Sequence, residues 1–550
     1  MSSSDQDDLK LVRHFRQILL WPLQLMPMRE DAQIQRHWDV LQREGTDNPW
    51  GELRDEFSGD PADFKERHYS EFVTFLPYVR RFLYGDAKSS DAAGVSESPI
   101  RVFRRKDVAS VRMKFPDVAE PVTMAVAHVD LCFFYDIDVV ILVVELVARD
   151  VSLARVQDTM FRFGRAYPTY WEENGSGGHC LERVEWLGAG EKVLAVSDYE
   201  QRKDYLAFVG RARAPRFAAH WKFLLKPLVL DHSDEKGAIR YRQVEYSRMP
   251  IVAYLAMDDV RGVTRADFIR VGLVTEPGPS DELPYATHHV HDFEARHCYD
   301  QFWNEQKSGC PGTRFMSCGH AFAMVGDAHQ PFFVDAEAGM LGQFRHQYFL
   351  LFLIPHFHKA ALLMLSDRVA DALNKLRISD AESVKQFKRA IRQLREIFLR
   401  FTHRYWFHEV SDQPTAKQIY RMTTTCLDTD RLYLEVRDEI EDMSEYLEAD
   451  TLRRQANTVV RLTVVTTFGL IGTVVTGFLG MNLLALSEAP FIEKVGYFIV
   501  VLLPVTVLTF YTIVKSKRLS DFLEALSDER LPASSKMRSL LDVWKKGDPP

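Results

Sequence analysis

Three consecutive residues, Gly480, Met481 and Asn482, lie in an uncharged stretch that reads VVTGFLGMNLLAL. The asparagine amide presents one carbonyl acceptor and two N–H donors without net charge. Such a group can hydrogen-bond the hydration waters of a cation without stripping them. A carboxylate in the same place would hold a cation too tightly for fast release. Upstream lie hydroxyls at Thr463, Thr466, Thr467, Thr473 and Thr476, and glycines at Gly469, Gly472, Gly477 and Gly480. Thr466, Leu470, Thr473 and Gly477 recur at helical spacing and can line one face. The same composition also serves a close helix–helix seam, with the threonines bonding their own backbone. Further back, Asp428–Asp450 holds ten acidic residues: Asp428, Asp430, Glu435, Asp438, Glu439, Glu441, Asp442, Glu445, Glu448 and Asp450. On composition alone this is a solvated acidic face.

Other chemistry is weakly represented. His288, His289, His291, His297, Cys298, Cys310, Cys318 and His320 are zinc-type ligands, but their spacings fit no standard zinc pattern. No Walker loop, GxSxG or HExxH occurs, so no motif marks an enzyme. The net charge of −8 gives no signal for nucleic acid. The six cysteines are widely spaced, with no CxxC pair, as in a reducing compartment. The start, MSSSDQDDLKLVRHF, is acidic before it is basic and lacks the plan of a signal peptide. The bulk of the chain is therefore expected in the cytoplasm.

The elements that must hold these residues can be read from charge and period. Leu462–Leu486 is free of charge, and about twenty residues suffice to span a hydrocarbon core. Val495–Val514 is a second uncharged run. Its Pro504 is tolerable in a membrane helix. Arg453, Arg454 and Arg461 precede the first run, and Lys515, Lys517 and Arg518 follow the second. The loop between carries Glu488, Glu493 and a single lysine, Lys494. The positive-inside rule places both termini in the cytoplasm and the loop outside. Two helices per chain cannot enclose a pore, so conduction would require an oligomer.

With 550 residues, 46% of them hydrophobic and 27% charged, the chain exceeds one core and is mostly soluble in character. Residues 1–85 read as helical, with amphipathic stretches over Leu9–Leu25 and Phe64–Tyr84, before a linker-like run, Asp86–Ser98. From Ile100 the composition turns β-branched and aromatic. VTMAVAHVDLCFFY and DVVILVVELVA predict buried strands joined by a YDID turn. Ser152–Tyr167 reads as a helix, and YRQVEYSRMPIVAYLAM and HAFAMVG as further strands. Gln343–Leu376 is apolar enough to tempt a transmembrane reading. Pro355, His356, His358 and Lys359 sit in its middle, and a central lysine costs roughly 3 kcal/mol on insertion scales. It therefore reads as a buried cytosolic helix. Two heptad-like helices follow. Val384, Phe387, Ile391, Leu394, Phe398 and Phe401 form one seam, with a basic face of Lys385, Lys388, Arg389, Arg392 and Arg395. Leu432, Val436, Ile440, Met443 and Leu447 form the other.

The tripeptide at the end of the penultimate apolar segment, a short loop, a final apolar segment and a basic tail together resemble the CorA superfamily of divalent-cation transporters. The resemblance covers roughly 380–518. It departs from the usual family pattern at Leu479, where an aromatic is common, and in the loop LLALSEAPFIEKVG, which lacks the acidic wording of magnesium members. The resemblance implies an α+β membrane protein. A helical region with linker (1–99) would precede a cytosolic α/β domain (100–340) and a helical stalk or funnel (341–456). Two transmembrane helices (457–518) and a cytosolic tail (519–550) would follow. It implies a homopentamer in a bacterial inner membrane, crossing it more than once. Lipid, divalent cations and further copies of the chain would be its partners, with no enzyme activity, nucleic acid or cofactor.

Gly480, Met481 and Asn482 would form the selectivity filter, and Leu462, Thr466, Leu470, Thr473 and Gly477 would line the pore. Asp438, Glu441, Asp442 and Glu445 would bind regulatory metal between subunits. The transported ion, itself the regulator, would be Mg2+, with Co2+, Ni2+ and Zn2+ as related candidates. Two other readings stand beside this one. One is a membrane-anchored sensor or interaction protein that does not conduct. The other is a zinc- or proton-coupled relative.

Overall fold

The computed structural model describes residues 10–28, 35–42, 48–53, 66–85, 99–116, 118, 120–245, 247–304, 312–377, 380–480 and 490–514. The chain divides into two compact units, Met1–Ile440 and Glu441–Pro550.

The first unit is built on a sheet that has fourteen strands among the described residues. In chain order they are β1 (Leu11–Leu25), β2 (Trp50–Leu53), β3 (Ile100–Arg105), β4 (Ser110–Lys114), β5 (Val122–Phe134), β6 (Ile137–Ser152) and β7 (Arg183–Leu187). Then come β8 (Val193–Val196), β9 (Val229–Leu230), β10 (Arg240–Gln243), β11 (Ile251–Met257), β12 (Cys298–Tyr299), β13 (Arg314–Ser317) and β14 (Ala321–Asp327). Neighbours follow the order β12-β13-β14-β11-β1-β6-β5-β4-β7-β8. β10 also pairs with β1 and carries β9, while β3 pairs with β5 and carries β2. The pairs β11–β14 and β9–β10 are parallel, and the others are antiparallel.

The expected hairpin is β5–β6. It turns at Tyr135 and Asp136, where Asp136 adopts φ 69°, a left-handed value that aspartate tolerates better than most residues. Over Val139–Val144 β6 is apolar on both faces, and every one of these residues is buried. The predicted helix after it is Leu153–Arg162, and Ser152 Oγ accepts from the Arg155 N–H at its start.

The N-terminal stretch corrects the sequence reading. Leu11–Leu25 is not a helix but the fifteen-residue strand β1, laid between β6 and β11 at the centre of the sheet. Val12, Phe15 and Leu19 mimic helical spacing. The register slips between Val12 and His14 against β11, and such a bulge inserts one extra residue. That extra residue lets Val12 join Phe15 and Leu19 in one core cluster. Only the second stretch is helical, as Glu66–Thr74 and Pro77–Tyr84. The first 99 residues are therefore not a separate helical region, and they share the unit Met1–Ile440 with the strands and the helices up to residue 440.

Two layers cover the sheet. On one face Trp21, Phe163, Trp186, Phe217 and Trp221 pack in mutual edge and tilted contacts. On the other lies the apolar segment that resembled a membrane span. It forms the helix Phe349–Lys375, hereafter the core helix, which packs on β1, β6 and the helices Ala381–Arg404 and Pro414–Leu427. The wider helical run Met340–Lys375 is long and apolar enough to cross a membrane, yet 72% of its apolar window is buried inside the protein. Its polar residues have partners there. Lys359 Nζ lies 3.6 Å from Glu245, whose pKa burial raises and Lys359 draws back. His356 Nδ1 donates to the Phe352 carbonyl at 2.8 Å, and His358 Nε2 to the Tyr405 carbonyl at 2.5 Å.

Burial lowers the pKa of His356 and His358 to about 3. An unfolded histidine takes its proton at about pH 6.5. Below that pH the unfolded chain gains protons that the fold refuses, so stability falls from about pH 6.5 down to about pH 3. Each such histidine should cost about 1.4 kcal/mol per pH unit across that window. Urea midpoints of the full chain should fall as pH is lowered from about 7 to about 5. They should fall less steeply in His356→Leu. An equal slope in the variant would show that His356 is protonated in the fold.

Helix Ala381–Arg404 buries Phe387, Ile391, Leu394, Phe398 and Phe401 and exposes Lys385, Arg389, Arg392 and Arg395, as its seam predicts. Helix Thr429–Gly480 begins beside it, with Tyr433 stacked on Phe398 and Trp406. The boundary between the units falls within this helix. In the second unit its later residues and the helix Phe491–Val514 form the described elements.

Candidate functional site

The acidic residues beyond Asp428, the residues expected to line a pore and Gly480 are carried by one helix of 52 residues, Thr429–Gly480. Asp428, left-handed at φ 53°, closes the preceding helix and starts the turn into it. No proline interrupts its sequence. Val436, Ile440 and Ser444 are buried on its inner side, while Asp438, Glu441, Asp442 and Glu445 are exposed. Arg437 Nη2 lies 2.9 Å from Asp438. Among the described residues no three His, Cys, Asp or Glu side chains converge on a point that could hold a metal ion. Within one chain, then, the four carboxylates share a face without forming a site.

Toward its end the helix separates its small residues by face. A Cβ added to Gly472 would lie 3.1 Å from Val505 Cγ1 of helix Phe491–Val514, so this glycine serves close helix packing. Gly469 and Gly477 meet nothing within 4 Å. Leu462, Thr466, Leu470, Thr473 and Gly477 are all exposed, and Leu462 and Leu470 are 63% and 66% so. They form one continuous uncovered face.

The hydroxyls on this helix are spent locally. Thr466 donates to the Thr463 carbonyl, Thr473 to Gly469 and Thr476 to Gly472, each at 2.9 Å. A bonded threonine hydroxyl still offers its oxygen as an acceptor. Gly480 is the last helical residue, and Met481 and Asn482 lie outside the described residues.

The histidine and cysteine residues of 288–320 are distributed in pairs. His288, His289 and His291 are exposed on helix Thr287–His297. Cys318 Sγ is 3.4 Å from His320 Nδ1, and His297 Nδ1 is 3.0 Å from Cys426. Cys310 lies outside the described residues. Burial pushes the Cys298 and Cys318 thiols up to about 12 and Cys426 to about 11.

Sequence reasoning missed a second polar cluster, built around His128, Asp130 and Glu145 within β5 and β6. Its signal was present: one carboxylate inside VVILVVELVA and a His-x-Asp inside VTMAVAHVDLCFFY, where the other residues are apolar or small.

No curated protein and no solved structure matches the chain. The family comparison does give a match. It begins within the core helix, continues through the acidic and glycine-threonine helix, and ends just after helix Phe491–Val514. Residues 366–515 match the family of CorA-like Mg2+ transporter proteins.

Proposed function

We propose that the chain is one subunit of a homopentamer that carries divalent cations, Mg2+ foremost, across a membrane. The family match over 366–515 carries this reading. The exposed face Leu462–Thr466–Leu470–Thr473–Gly477 supports it: Thr466, Thr473 and Gly477 suit an aqueous path enclosed by copies of one helix, with Leu462 and Leu470 as apolar rings along it. Asn482 then supplies a ring of neutral acceptors at the mouth, and helix Phe491–Val514 faces lipid. Both termini lie on the cytoplasmic side.

Flux into proteoliposomes tests the proposal. Mg2+ should enter vesicles that hold the purified chain, with Co2+, Ni2+ and Zn2+ tried in turn. Native mass spectrometry in mild detergent should show a ring, five-fold on this reading. Absence of flux for every ion would favour a sensor that does not conduct, and a monomer or dimer would count against a pore.

Regulation follows from the acidic face. Mutual repulsion among Asp438, Glu441, Asp442 and Glu445 of neighbouring copies favours a splayed, open ring, and bound divalent ions relieve it. Changing the four together to Asn and Gln should raise the internal Mg2+ needed for inhibition about tenfold, within the usual span of site-to-site coupling. Unchanged inhibition would show that the face is merely solvated.

A further inference from the structure

On the sheet face that carries the core helix there is a cavity of about 380 Å3 that ion passage does not use. Part of its wall is apolar, from Val102 of β3 and Leu350 and Leu353 of the core helix. The rest is charged, and two backbone irregularities aim it. β5 slips register between Val126 and His128, and His128 then stands opposite Glu145. The turn Phe344–Tyr348, ahead of the core helix, is π-helical and places Arg345 and His346 on the cavity wall. Bulges and π-turns each insert a residue that re-aims a side chain, and both recur beside functional sites.

The charges are unequally matched. Glu145, 1% exposed, accepts from Arg16 Nη1 at 2.5 Å and lies 3.0 Å from His128 Nδ1. Burial works to raise its pKa, but the bonds and charges of His128 and Arg16 outweigh burial and hold it at about 2. Asp130 accepts both arms of Arg104, each at 2.8 Å. Glu71 accepts from the Tyr84 hydroxyl at 2.9 Å and lies 3.4 Å from His346 Nδ1. The carboxylates of the cavity are therefore satisfied from within. Arg345 differs. Its Nε is buried with no hydrogen-bond partner among the described residues, 3.8 Å from a Glu145 oxygen already held by Arg16. A guanidinium is a planar fork of donors that fits a carboxylate or phosphate bidentately.

We propose that this cavity binds a small amphiphilic organic anion, with its carboxylate or phosphate on Arg345 and its apolar body along Val102, Leu350 and Leu353. The volume lies in the range of small-molecule sites, and an apolar wall with a few placed polar groups is their usual make-up. The core helix runs from this cavity to residue 375, so the ligand would sit on the same rigid element in which the family match begins.

Isothermal titration of the full-length chain in detergent tests this, with hexanoate, hexyl phosphate and the neutral hexanamide as probes. At least one anion should bind saturably and about tenfold or more tighter than hexanamide. Which anion wins distinguishes a carboxylate ligand from a phosphate ligand. Arg345→Gln should lose about tenfold or more in affinity, because a charge-assisted pair is removed. Arg345→Lys should retain part of it. No hydrogen bond from Arg345 Nε is broken in either variant, so the melting temperature should hold. Leu350→Trp, which fills the cavity from its apolar side, should abolish binding independently and serves if Arg345→Gln does not fold. The proposal is overturned if neither anion binds, if hexanamide binds as tightly, or if binding survives both Arg345→Gln and Leu350→Trp. None of these readouts depends on ion flux.

Discussion

Asn482→Ala should cut divalent-cation transport by roughly a hundredfold while expression and oligomer size stay normal. The reasoning starts from the amide. On the proposed function, one neutral acceptor per subunit, repeated around a ring, would meet the hydration shell of an incoming ion. A net hydrogen bond is worth about 1 kcal/mol, so removing even three such bonds at the rate-limiting position amounts to about a hundredfold. If Asn482 faces water at the pore mouth, as proposed, removing its side chain opens no cavity in a core, and the fold should survive. Gly480, the last helical residue, leaves the backbone free to turn out of the helix at this point. Met481 packs behind the ring on this reading.

The charged variant separates a filter from a spacer. Asn482→Asp adds one negative charge per subunit, so it should bind cations more tightly, release them more slowly and shift the order of preference among Mg2+, Co2+ and Ni2+. Flux by stopped-flow dye reporting in proteoliposomes measures both variants. Wild-type rates and selectivity in Asn482→Ala would remove the asparagine from the conduction path, and with it the strongest support for a Mg2+ filter at this position.

What the sequence disclosed follows from which forces are local. The β5–β6 hairpin was legible because β-branched and aromatic runs, buried on both faces, bracket a turn that aspartate tolerates. The core helix was legible because Lys359, His356 and His358 argue against lipid, and each finds a partner in the protein. β1 was not, because a bulge gives a strand the spacing of a helix over Val12, Phe15 and Leu19. The pairing that decides the matter comes from β6 and β11, more than a hundred residues away. The cavity was hidden for a related reason. Arg345, Glu71 and Glu145 are far apart in sequence and meet only once the sheet and core helix are assembled. Thr466 and Thr473 lie seven residues apart on one helix, and both are exposed. What their face meets depends on neighbouring copies, and period alone does not distinguish a pore from a seam.

Phe357→Ala should destabilise the Met1–Ile440 unit by about 3–5 kcal/mol, the usual cost of emptying a large aromatic site. Phe357 is fully buried on the core helix. Its ring stacks on Phe134 of β5 at 3.9 Å between centroids and lies 5.7 Å from Phe82 of helix Pro77–Tyr84. Phe401 of helix Ala381–Arg404 stands 6.2 Å away on the other side. One side chain thus joins the sheet, helix Pro77–Tyr84 and a helix that lies within the family-matched segment. Neighbours on several elements cannot all relax into the vacated space, so the cavity term adds to the lost burial. Leu399→Ala is the matched control: this residue is 47% exposed on a neighbouring helix, and its loss should cost no more than about 0.5 kcal/mol. Thermal and denaturant unfolding of the two full-length variants gives the difference. It also decides what the core helix is. A phenylalanine facing lipid would leave little protein packing to disrupt on truncation, and Phe357→Ala would then melt with Leu399→Ala. A gap of several kilocalories between them would place the most apolar helix of the N-terminal unit inside a water-soluble core and leave membrane crossing to the segments that end at Gly480 and Val514.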